Sequence, residues 1–172
     1  MMGIAASALV EELLRWMEEN GFESIDLTID NEFYYDADYN YIALDFKTEA
    51  IVSYWITDFF SSLGNQWENI DGPIYCFLHE LGHSQTLKNF TYEEKETALQ
   101  STAMFALLEP NKENAFLYWN TPIELAANKW AVNFLNTTNS NIITSLVTIF
   151  VKYWNKAVEE EKTYETSIYS AR

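Results

Sequence analysis

Residues 4–20 place Leu9, Leu13, Leu14, Trp16 and Met17 at helical spacing, and Asn20-Gly21 supplies a stop. The period then changes to two. Ile25, Leu27 and Ile29 alternate with polar residues, which predicts a half-buried strand. Residues 32–46 read as two further short strands around a polar turn, Asp36 to Asn40. From about Thr48 the helical period returns and runs to Gly64. Asp71-Gly72-Pro73 opens the next helix, with Pro73 in the first turn, where its missing N–H costs nothing; the pattern runs to residue 89. Thr91 and Glu94 have the spacing of a capping box and open a helix over 91–109. Residues 110–120 read as a loop. Thr121-Pro122 begins a helix over 121–135, and a last helix spans about 139–161, its acidic end fraying into a polar tail.

Helices segregated from a small N-terminal sheet define an α+β arrangement, expected to be mostly helical with an antiparallel sheet. The chain has 172 residues, with sparse Gly and Pro and no repeat or linker, so a single domain over 1–172 is expected. The longest apolar run, residues 142–151, is too short to cross a membrane. The opening residues lack a basic stretch and read as a helix, and one Cys permits no internal disulfide, so the cytoplasm is the expected compartment. Asp and Glu number 26 against 10 Lys and Arg, a formal charge of −16. So acidic a chain is a poor partner for nucleic acid or an anionic membrane, because phosphates are bound by neutralising them.

The strongest chemical signal is His79-Glu80-Leu81-Gly82-His83, which uses the only two histidines of the chain. Positions i and i+4 share a helix face, so both imidazoles can reach one metal ion, and the Glu between them can take a proton from metal-bound water. Two randomly placed histidines meet this pattern on the order of one time in a thousand.

A catalytic zinc site needs a third protein ligand. With no other His, that ligand is a carboxylate or Cys76, three residues before His79 and more simply a buried apolar residue. Glu124 is favoured. Ala127, Asn128 and Ala131 follow it on one helical stripe; small residues there allow a close approach to the His helix at Gly82, and Asn128 can accept a hydrogen bond from a ligating His. Thr121 and Glu124 also have the spacing of a capping box, which would give Glu124 a purely local role. Glu94, Glu96, Glu109 and Glu113 are the other carboxylates in reach, without such a stripe.

Leu78 to His83, followed by Glu124, Ala127, Asn128 and Ala131, resembles the ImmA/IrrE-type zinc metallopeptidases of bacteria and their mobile elements, a gluzincin-like family with an HExxH…E signature. The resemblance spans roughly residues 73–135. It implies a zincin-like domain with HExxH on a central helix, Zn2+ held by His79, His83 and Glu124, and Glu80 as general base. It also implies hydrolysis of a protein or peptide substrate, such as a regulatory protein, by a chain of phage or mobile-element kind. An oxyanion donor would then have to be Tyr, Lys or backbone, and Tyr118, six residues before Glu124, is the nearest candidate. Trp119 could wall a substrate cleft. The net charge keeps a second reading open: an acidic protein-binding module, counter-defence or regulatory, with a structural or relic zinc site.

Overall fold

Leu9, Leu13, Trp16 and Met17 bury one face of α1 (Ile4–Glu19), the first element of a computed structural model that describes residues 3–47, 50–68 and 70–170. Helix α1 has no side-chain cap of its own. Its Ala5 N–H instead donates to Glu160 Oε2, 2.9 Å away on the long last helix, α7 (Ser140–Ser170). At the other end, Trp16 Nε1–H donates to the Ile142 carbonyl at 3.1 Å. The two helices thus run antiparallel, pinned at both ends. Gly21, at φ 86°, turns the chain out of α1.

Three strands follow: β1 (Asp26–Asp30), β2 (Tyr34–Asp36) and β3 (Tyr41–Asp45). The expected β2–β3 hairpin is present, with Asp36 Oδ1 accepting the N–H groups of Asp38 and Tyr39 in its turn. The sheet is mixed, however, and not antiparallel as expected: its order is β1-β3-β2, and β1 pairs with β3 in parallel. Burial explains the order. Ile42, Ala43 and Leu44 are all inaccessible, so β3 needs neighbours on both sides. Strands β1 and β2, with acidic residues at their ends, take the two edges.

The remaining helices are α2 (Ala50–Ser62), α3 (Gly72–Thr86), α4 (Tyr92–Phe105), α5 (Lys112–Trp119) and α6 (Pro122–Thr137), with a short 3-10 turn at Leu87–Asn89. The expected start of α2 at Thr48 lies outside the described residues. Helix α4 stops four residues short of the expected end, and α7 continues to Ser170, past Glu161 where fraying was expected. Helix α5 replaces the expected loop. It is capped by Asn111, which accepts the Asn114 N–H at 2.9 Å, and its aromatic side is held by Phe59 against Phe116 and Trp119.

Helix α3 is the centre of the molecule. Ten consecutive residues, Ile74 to His83, are buried, because α2, α6 and the sheet pack around it. Among the described residues, no helix is long and apolar enough to cross a membrane.

Candidate metal centre

Two helices build the site. Helix α3 carries His79 and Glu80 side by side with His83 one turn further on, and α6 carries Glu124 and Asn128 one turn apart. They cross closely because both have small residues at the crossing. A Cβ on Gly82 would lie 2.5 Å from the Ala127 carbonyl oxygen, and Ala127 and Ala131 are fully buried there. The expected small-residue stripe is therefore the contact itself. It also faces Glu124 and Asn128 toward the histidines.

All five polar side chains are buried. His79, Glu80 and His83 form a group that could hold a metal ion, with ligand atoms within 4.8 Å of one another. Three atoms are closer still. His79 Nε2 and His83 Nε2 stand 3.1 Å apart. Glu124 Oε2 lies 3.0 Å from the first and 3.4 Å from the second. Atoms bound at ~2.0–2.1 Å to one tetrahedral zinc ion stand about 3.3–3.4 Å from one another. Glu80 Oε1 is set back, 3.9 Å from His79 Nε2.

The proton inventory makes the same point. Asn128 Nδ2 faces the Trp119 carbonyl at 3.4 Å, so its Oδ1 is the acceptor 2.8 Å from His79 Nδ1. His79 thus carries a proton on Nδ1, and in the neutral imidazole its Nε2 presents a lone pair. That lone pair points at a carboxylate oxygen and a second imidazole nitrogen. Glu124 Oε2 is buried and, among the described residues, receives no well-aligned hydrogen bond. A buried carboxylate oxygen facing two imidazole nitrogens is satisfied by a proton carried on one of them or by a metal ion held between them.

In the metal-free protein the charges lean on one another. Burial opposes a charged His79, but Glu124 and Glu80 outweigh it and raise its pKa to about 9. Burial likewise opposes a charged Glu124, and the two imidazoles outweigh it, holding its carboxyl well below the usual carboxylate range. Glu80 moves the other way: burial pushes it up, against the pull of His79 and His83. A carboxylate raised in this manner is a stronger base than an exposed one.

Several sequence-level alternatives find their place. Thr121 forms no side-chain cap, so Glu124 is free of the capping box and turns inward. Glu94 is committed to the capping box with Thr91, and Glu96, Glu109 and Glu113 are exposed. Cys76 is a buried free thiol outside the group, and burial raises its pKa. Tyr118 does reach the site, but its one hydroxyl proton goes to Glu124 Oε1 at 2.8 Å. Burial and then the Glu124 charge push its pKa up, so the proton stays in place. Trp119 is buried against Phe59 and Phe116. Sequence reasoning missed Tyr35, whose backbone N–H on the edge strand β2 helps to hold the charge of Glu80. A backbone donor leaves no signature in residue type.

No protein-family model, no curated protein and no solved structure matches this chain. Its site must be judged by its own geometry.

Proposed function

We propose that this chain is a zinc metallopeptidase of the gluzincin-like kind that its HExxH…E pattern resembles, acting on a protein substrate. The observation that carries this reading is the convergence of His79 Nε2, His83 Nε2 and Glu124 Oε2 to within 3.0–3.4 Å of one another, with Glu80 alongside. Two imidazoles and one carboxylate form a zinc donor set that leaves a coordination position for water or substrate. Zinc held there would supply Lewis acidity, bringing a water molecule's pKa near neutrality and polarising the scissile carbonyl. Glu80 takes the proton of the attacking water and returns it to the leaving amine nitrogen. Asn128 fixes the His79 tautomer, and Tyr118 fixes the Glu124 rotamer through the second carboxylate oxygen. In this scheme Tyr118 positions a ligand and does not serve as the oxyanion donor.

The acidic-module alternative has the net charge in its favour. It keeps the same buried Glu80 and histidines as a relic, and differs in expecting no hydrolysis. The test is hydrolysis of a fluorogenic peptide library. Activity should vanish on chelation and return on adding zinc; activity indifferent to chelation would overturn the proposal. Asn128→Ala and Tyr118→Phe should each weaken zinc binding by roughly 10–100-fold, read by competition with a chromogenic chelator. Unchanged affinity in both would remove these residues from the site.

A further inference from the structure

Among the described residues ten large apolar side chains stand exposed, and six of them fall within one stretch: Tyr92, Leu99, Met104, Leu107, Leu108 and Leu117. Tyr92 and Leu99 are seven apart on α4 and share a stripe; Met104 stands about 140° further round the helix with Glu96 and Glu93 between them, and Leu107 and Leu108 lie beyond its end. Helix α4 buries none of its residues. It is held at its start by the reciprocal Thr91–Glu94 cap and near its end by Phe105, whose ring lies 5.5 Å from that of Tyr118. The Thr102 hydroxyl is 3.5 Å from the Tyr118 hydroxyl. The arm thus rests, through Thr102 and Phe105, on the residue that holds Glu124, and its leucines are exposed to water. Exposed apolar patches of this kind mark interaction surfaces.

The surrounding charge selects the occupant. Glu93, Glu96, Glu109 and Glu113 are exposed along the same stretch. Of the two lysines there, Lys95 is half-buried and Lys112 is engaged by Asp58. A second copy of the chain would bring the same acids against these, and an anionic membrane would be repelled likewise. A segment that combines apolar side chains with Lys or Arg satisfies both the leucines and the glutamates. We infer that the α4–α5 arm is the docking surface for a basic, apolar segment of the protein substrate. Calling that partner a substrate rests on the peptidase reading; the docking surface itself does not.

The probes are two synthetic amphipathic peptides of about 16 residues, one built from Leu and Lys and the other from Leu and Glu in the same pattern. Binding is measured calorimetrically at low and high salt, with the full chain zinc-loaded as Glu80→Gln and metal-free as wild type. The Lys peptide should bind at least ~10-fold tighter than the Glu peptide, more weakly at high salt. Leu99→Ser/Leu107→Ser should weaken it by at least about tenfold with zinc content and melting temperature unchanged. Glu96→Lys/Glu109→Lys should weaken it too, by a salt-dependent factor. Undiminished binding by the leucine variant overturns the inference, since attraction would then come from net charge alone. A wild-type dimer that the leucine variant converts to monomer also overturns it, in favour of self-association. Docking lost as expected in both variants, while the zinc-loaded wild type cuts no peptide of the fluorogenic library, would support the surface and remove the peptidase reading.

Discussion

Replacing Glu80 by Gln should abolish peptide hydrolysis while leaving zinc bound. Gln is nearly isosteric and cannot accept a proton in the way a carboxylate does. General acid–base catalysis contributes about 10²–10⁴-fold, so the rate should fall by at least that range. Zinc binding should hardly change, because Glu80 is set back at 3.9 Å from His79 Nε2 while Glu124 Oε2 stands at 3.0 Å. Steady-state rates and metal content on the same preparation make the check. A Glu80→Gln protein with wild-type turnover would remove the base from the scheme. One that lost its zinc would exchange the roles of Glu80 and Glu124.

Gly82→Ala should destabilise the protein and weaken zinc binding together. In an ordinary helix interior the same change stabilises by up to about 1 kcal/mol, because Gly pays more backbone entropy than Ala. Here the added methyl would meet the Ala127 backbone at 2.5 Å, and a backbone cannot swing aside as a side chain can. Helices α3 and α6 must separate, and overpacking of this kind costs about 1–3 kcal/mol. Separation also draws Glu124 and Asn128 away from the histidines, since these come from opposite sides of the contact. Thermal unfolding and zinc competition read the two effects. A raised melting temperature with unchanged zinc affinity would mean that the crossing is looser than described.

The helices were legible because their apolar residues recur with the helical period, and the HExxH spacing needed nothing further. Glu124 and Asn128 were legible as an i, i+4 pair beside Ala127 and Ala131, opposite Gly82. Strand order was not. Alternation shows which face of a strand is buried, not which strand lies beside it, and β3 took the centre because both its faces are covered. Helix α5 escaped because eight residues holding an aromatic cluster carry no clean period; Asn111 and Phe59 fix it instead. Tyr118 was legible as a neighbour of Glu124, but its hydrogen bond to that carboxylate depends on how α5 meets α6. The exposed face of α4 was also illegible, since its capping box and composition announce a helix without saying that none of its residues is buried.

The central claim is that α3 and α6 share one metal ion. It is tested most directly by zinc content per chain in purified wild type and Glu124→Ala, with helical content measured alongside. The account predicts about one zinc in the wild type and far less in the variant at equal helicity. One zinc in both would take Glu124 out of the site, and none in the wild type, even after zinc is supplied, would contradict the metal centre altogether.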